Sequence, residues 1–364
     1  MGNPRRFYGT GEPILLAEGG SIPARCAVEV TFRTYERRFL MRPSRAVNRI
    51  ILGCLGRAKR RYPTLALHVV SFLSNHGSLV CTPPNPFVLW SFMRDFMSTT
   101  ARRLNGHHGR VGTFWERRYR AIPIVDEESL ERCFAYCLLQ GTKENLVWSA
   151  RDWPGISSVK ALCEGVPLIG QWRDQAREYE LRRQRQRRLD RAAVRGRTLR
   201  LPEVEDVVVE CPIELAPLPH WRKVRPAERR ARVEAIVRAD ETAQRARHRR
   251  DGTAPLGVAG IATTDPFARP AVSKCSPAPR CHARTPALRD GFLEACRQHD
   301  TRTREVTAAV ERTLPKLGLP VGSSLAPLVH RPEVEPRKSA AAARIRVLDS
   351  TSKRRRARGR PRLT

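Results

Sequence analysis

Long apolar runs are missing from this chain. Nowhere in its 364 residues does an uninterrupted apolar stretch approach the length of a bilayer-spanning helix. The opening MGNPRRFYGTGEP lacks the apolar centre of a signal peptide, and Arg6 stands where a myristoylation pattern needs Ser or Thr. A cytoplasmic protein without membrane attachment is therefore expected. The ten cysteines show no paired spacing, which excludes a disulfide scaffold and predicts reduced thiols. No internal repeat is visible. Negative charge is scarce as well: 36 Asp and Glu face 68 Lys and Arg, a formal net charge of +32. Most of the excess is arginine, whose planar fork suits phosphate. Such a surface attracts polyanions, nucleic acid first among them.

Patterning divides the chain into a loose, Gly- and Pro-punctuated segment (1–21), a globular domain (22–170), an arginine-rich extension with a linker (171–284), a short helical region (285–320) and a basic tail (321–364). Within the globular part, CAVEVTFRTY (Cys26–Tyr35) is rich in β-branched and aromatic residues and predicts a strand. Pro43 and Ser44 open a helix whose apolar residues Val47, Ile50, Ile51, Cys54 and Leu55 recur at helical spacing. Thr64–Leu73 and His76–Cys81 read as a strand pair across Ser74-Asn75. A second helix is expected from Phe87 to Leu104, a strand over Gly112–Val125, and a third helix from Asp126 through Gln140, stopped by Gly141. The order strand, helix, strand, strand, helix, strand, helix suits a two-layer α+β domain with an antiparallel sheet. Farther on, the arginine-dense stretches read as solvated helices or disordered arms, and Thr285–Leu314 as one or two amphipathic helices.

Three features could carry chemistry. On the third helix, Leu130, Phe134, Cys137 and Leu138 share one face, whereas Arg132, Tyr136 and Gln140, spaced by four, share another. Helix geometry alone makes Tyr136 an interfacial residue with a wet hydroxyl. On the strand His76–Cys81, alternation puts His76, Ser78 and Val80 on one face. Two histidines at that spacing would make a metal platform, but the second position is Ser78, and a neutral hydroxyl is a weak ligand beside imidazole. Taken alone, His76 is a structural hairpin histidine. Cys275, Cys281-His282, Cys296 and His299 cluster in sequence, at spacings that match no standard zinc module.

Taken together, LHVVSFLSNHGSLV, HHGRVGTFWERRYRAIPI, ESLERCFAYCLLQGTKENLV and RDWPGISSVKAL resemble the single-tyrosine HUH transposases, in particular their REP-associated tyrosine transposase branch. The matching features are His68 on a strand, the Asn75-His76-Gly77-Ser78 hairpin, the segment His108–Gly112 with Trp115 to Tyr119, the Tyr136 helix, and Trp153-Pro154 with Ser157-Ser158. They cover residues 22–162, under half the chain.

The resemblance implies a ferredoxin-like fold and a tyrosine that attacks a DNA backbone phosphate, leaving a 5′-phosphotyrosine link and a free 3′-hydroxyl. Tyr136 matches that nucleophile. It also implies a divalent ion, Mg²⁺ or Mn²⁺, that polarises the phosphate, with His76 and Gln140 matching two ligands and Ser78 standing at the third. A water, His107, His108 or Glu116 could replace the missing ligand; otherwise cleavage is lost and DNA binding remains. Leu139-Gln140-Gly141 also departs from the Leu-Asn-Pro run usual in this branch. The implied partner is single-stranded or hairpin DNA, bound by Arg110, Arg117, Arg118 and Arg120. A homodimer is compatible with the sequence. Arg358, Arg360 and Arg362 in Arg-Gly-Arg-Pro-Arg read either as an AT-hook core, extended in an A·T-rich minor groove, or as a generic basic tail. A more distant alternative, a single-stranded RNA-binding sheet, lacks the Gly-Phe-rich aromatic strands of that module.

Overall fold

A computed structural model describes residues 13–15, 21–271 and 279–313. Cys275 and the tail residues Arg358, Arg360 and Arg362 lie outside the described residues. The described chain falls into two units, one of residues up to 171 and from 210 onward, the other of residues 172–209.

In the first unit, two short strands, β1 (Ile14–Leu15) and β2 (Ser21–Ile22), pair antiparallel. Then come β3 (Ala27–Arg33), α1 (Arg45–Arg61), β4 (Ala66–Phe72), β5 (His76–Thr82), α2 (Pro86–His107) and β6 (Arg120–Ile124). The sheet order is β4-β5-β3-β6, antiparallel throughout. With its β-α-β-β-α-β connection this is a ferredoxin-like α+β fold. The helix starts are set by local chemistry: the Ser44 hydroxyl accepts from the Val47 amide, and the Asn85 side chain accepts from that of Val88 ahead of Pro86.

One face of the sheet carries Val28, Val30 and Phe32 under the two helices. There Phe32, Phe72 and Phe96 pack mutually with ring centroids 5.8–5.9 Å apart. The other face carries Ala27, Glu29, Thr31 and Arg33. It is covered by α3 (Glu127–Leu138), which buries Leu130, Cys133, Phe134, Cys137 and Leu138 against Val69, Val80 and Ile124. Asp126 caps α3 by accepting from the Ser129 amide at 2.8 Å.

Several boundaries differ from the sequence reading. The third helix ends at Leu138 rather than passing through Gln140. A separate single turn, α4 (Gln140–Lys143), follows, and Gly141 lies inside it. A side chain at Gly141 would press on Val147 and Trp153, so this glycine marks close packing rather than a helix stop. Of the strand expected over 112–125, only Arg120–Ile124 forms, with one further bridge between Thr34 and Trp115. The second helix runs one turn further than expected, to His107. Residues 156–158, after Trp153-Pro154, add a short edge to β4: Phe72 donates to the Ile156 carbonyl, and the Val70 amide to the Ser158 hydroxyl. The Trp153 indole donates to the Phe72 carbonyl at 3.0 Å. That motif is structural.

After α5 (Val159–Cys163), strands β7 (Leu168–Arg173) and β8 (Val208–Ile213) pair as a two-stranded sheet. The second unit holds α6 (Gln175–Val194), whose first turn is organised by Glu178. This buried carboxylate accepts from Arg173 and from the Val207 amide. Farther along, α7 (Pro226–Asp251), α8 (Gly257–Thr263) and α9 (Pro286–Thr313) belong to the first unit. The α7 sequence reads as a solvated arm because its buried stripe is mostly polar: Val233 and Val237 are followed by Asp240, Gln244 and His248. The expected one or two helices near the end form a single one, α9. No helix among the described residues is long and apolar enough to cross a membrane.

Candidate active site

The sheet face under α3 gathers the sequence candidates. Antiparallel register sets Arg33 opposite His76 and Thr31 opposite Ser78, and Thr31 is also paired with Arg120 on β6. Residues directly opposed across an antiparallel pair point to the same side, so His76, Arg33, Ser78, Thr31 and Arg120 share this face. From above, the Cys137 thiol donates to the Ser78 carbonyl at 3.5 Å, and Gln140 Nε2 donates to Ser78 Oγ at 2.7 Å. The helix bearing Tyr136 is thereby fixed over the strand bearing His76.

His76 Nδ1 lies 2.8 Å from Asn75 Oδ1. A carbonyl oxygen only accepts, so Nδ1 carries the proton and Nε2 keeps its lone pair. Burial, and secondarily the Arg33 charge, push the His76 pKa down to about 4. The imidazole is thus neutral near pH 7. Tyr136 is 46% exposed, and its phenol pKa is raised, first by burial, then by Glu144 and Glu29, with Arg33 pulling the other way. Arg33 therefore acts on both His76 and Tyr136. A phenol held this way is protonated at neutral pH and must lose its proton during any attack.

Tyr136 and Gln140 do not share an open face, because the break after Leu138 turns Gln140 inward. It is 2% exposed and Ser78 1%. Gln140 Oε1 is buried with no hydrogen-bond partner among the described residues, an atom a cation could use. The Ser78 hydroxyl, however, already accepts from the same amide. One imidazole and one amide oxygen leave four of the six positions of a Mg²⁺ or Mn²⁺ ion to water. The residues here do not make up the ion site that the resemblance implies. Nor do the substitutes converge. His108 Nε2 is bonded to the Leu40 carbonyl at 2.8 Å, and His107 is exposed at the end of α2. Glu116 aligns beside Arg33, its amide donating to the Arg33 carbonyl at 3.0 Å. That is two strand spacings, roughly 9–10 Å, from His76.

Among the described residues, one group of three His, Cys, Asp or Glu donors could hold a metal: Glu29, Cys133 and His282, whose ligand atoms all lie within 4.8 Å of one another. Only His282 belongs to the cysteine-histidine cluster seen in the sequence. His68 is structural, bonded to the Ala216 carbonyl and the Thr82 hydroxyl and fully buried.

The arginines separate. Arg120 is exposed on the candidate face, while Arg117 and Arg118 are exposed in the preceding loop. Arg110 is half-buried, with Nη1 enclosed. Arg33 and Asp240 were missed in the sequence. The polar alternation Glu29, Thr31, Arg33 could have revealed the first. Asp240 accepts from the Thr142 hydroxyl and pairs with Lys143 Nζ at 2.9 Å, which fixes the turn that begins at Gln140. No local signal marks it.

No protein-family model and no curated protein matches the sequence. Among solved structures, the chain is similar to a REP-associated tyrosine transposase bound to a REP hairpin. That match has 18% identity and a TM-score of 0.32, and covers 43% of this chain and 82% of that one. It is also similar to a provisionally assigned transposase from Deinococcus radiodurans, at 16% identity and a TM-score of 0.24, covering 33% of this chain and 88% of that one.

Proposed function

We propose that this protein is a DNA-binding protein of the tyrosine-transposase type, acting on single-stranded or hairpin DNA with Tyr136 as the group that attacks the backbone phosphate. One observation carries the reading: an accessible phenol on a helix pinned to the strand of a neutral His76, with Arg33 acting on both. Arg33 and Arg120 bring positive charge to the same face, where a phosphate would be bound. Attack by Tyr136 Oη on phosphorus forms the phosphotyrosine ester and breaks the bond to the 3′-oxygen. The phenolic proton passes to solvent and the departing 3′-oxygen takes one up, so a diester is exchanged for a diester and no co-reactant is consumed.

The bond between Gln140 and Ser78 favours a second reading, in which DNA is held at this face without being cut. One experiment separates the two. The full-length protein is incubated with a single-stranded hairpin oligonucleotide and Mn²⁺, and denaturing gels are read for a covalent adduct. An adduct from the unaltered chain that disappears in Tyr136→Phe supports cleavage. No adduct from the unaltered chain, with one appearing in Ser78→His, supports the second reading. An adduct that persists in Tyr136→Phe removes Tyr136 from the chemistry.

A further inference from the structure

We propose that Glu29, Cys133 and His282 form a zinc site that fastens the segment leading into α9 to the edge of the sheet. The three donors come from β3, from α3 and, with His282, from the segment that leads into α9, far apart in sequence and brought together only by the fold. His282 Nε2 stands 2.7 Å from Glu29 Oε2, and all three ligand atoms lie within 4.8 Å of one another. Tetrahedral zinc holds N, O and S donors at about 2.0–2.3 Å, so its ligand atoms are spaced by roughly 3.3–3.8 Å. Side-chain adjustments of about 1 Å or less would meet that geometry.

Donor chemistry selects the ion. Thiolate, imidazole and carboxylate together suit Zn²⁺, whereas Mg²⁺ and Ca²⁺ take oxygen ligands. The His282 and Glu29 side chains keep 19% and 10% exposure, which leaves the fourth position to water. Backbone hydrogen bonds hold His282 against the sheet edge. The His282 amide donates to the Pro123 carbonyl at 2.8 Å, and the Val125 amide to the His282 carbonyl at 3.0 Å. Beyond it, the Arg284 amide donates to Asp126 at 2.8 Å, and Phe292 of α9 is buried against Ile22, Cys26, Val125 and Cys281. The three donors include neither Ser78, Gln140 nor Tyr136, so the proposal stands whether or not Tyr136 is a nucleophile.

The test uses the full-length chain, first stripped of metal. Zn²⁺ is titrated in competition with a chromophoric chelator, Co²⁺ is added separately as a spectroscopic reporter, and melting is followed with and without Zn²⁺. One Zn²⁺ per chain, about one proton released per ion as the thiol ionises, a thiolate-to-cobalt charge-transfer band and a zinc-dependent rise in Tm are expected. Cys133→Ser and His282→Gln each weaken Zn²⁺ binding by about 100-fold or more, beyond what outer-sphere losses cause, while Cys281→Ser and Cys296→Ser bind as the unaltered chain does. Should Cys133→Ser unfold, His282→Gln, on the accessible side of the cluster, decides. Zinc binding unchanged in His282→Gln, lost in Cys281→Ser, or absent from the unaltered chain overturns the site.

Discussion

Gln140 Nε2 of α4 donates to Ser78 Oγ of β5 across 2.7 Å, and both side chains are buried. The bond couples α4, the turn that follows the helix of Tyr136, to the strand of His76, and it occupies the Ser78 hydroxyl. Ser78→Ala orphans a buried amide and lowers stability by about 1–3 kcal/mol, whereas removing both partners in Ser78→Ala with Gln140→Leu recovers much of it. Urea unfolding of the two single variants and the double variant measures the coupling.

Arg33 and Arg120 are predicted to contact phosphates without reading bases. Each of Arg33→Ala and Arg120→Ala should weaken binding to hairpins of any sequence by a similar factor. Each should also reduce the dependence of log K on log salt by about 0.7–0.9. Fluorescence anisotropy over a range of salt concentrations reads both quantities, and a sequence-selective loss would assign these residues to base contacts.

The turn that presents Gln140 is held from α7. Asp240→Ala leaves the Lys143 ammonium and Gln244 Nε2 without this acceptor, and the Thr142 hydroxyl with only the Leu139 carbonyl. A loss of roughly 1–3 kcal/mol is expected, with faster amide exchange over residues 139–144 than elsewhere. Uniform acceleration across the first unit would mean that Asp240 supports only global stability.

Acid should weaken the fold through two histidines. His68 and His76 are both held near pKa 4, mainly by burial, against an ordinary value of about 6.5. Below about 6.5 the unfolded chain takes protons that the folded chain refuses, so stability falls as pH drops from about 6.5 to about 4 and, for these groups, levels off below that. Melting temperatures across this window, with His76→Gln flattening part of the slope, check the sign.

Gly77 answers to packing. A Cβ there would come within 2.5 Å of Phe32 Cζ and 2.9 Å of Phe72 Cδ1. Gly77→Ala is expected to destabilise by about 1–3 kcal/mol through overpacking, visible as a lower Tm with zinc binding unchanged.

Much of the fold was legible in local pattern. The β-branched and aromatic run Cys26–Tyr35 and the strand pair around Ser74-Asn75, with Ser44 and Asp126 at helix starts, are enough to give the β-α-β-β-α-β order. These signals are short-range, so sequence carries them directly. The strand over 112–125 was overread because Trp115 and Tyr119 favour β structure locally, while only Arg120–Ile124 finds a continuous partner in β3. Helix α7 was underread because Asp240, Gln244 and His248 line its buried side, and polar residues signal solvent until their partners are known.

By itself, the sequence determined the basic character, the secondary-structure order, and the residue types His76, Ser78, Tyr136 and Gln140 that make the site worth attention. Only the tertiary structure decided that the helix breaks after Leu138, sending Gln140 inward onto Ser78 while Tyr136 stays open, and that Arg33 stands beside His76. It alone brought His282 to Glu29 and Cys133. The reason is physical: helix and strand periods follow from neighbours a few residues away, whereas register, helix breaks and converging ligands depend on packing between segments that the chain order leaves unspecified.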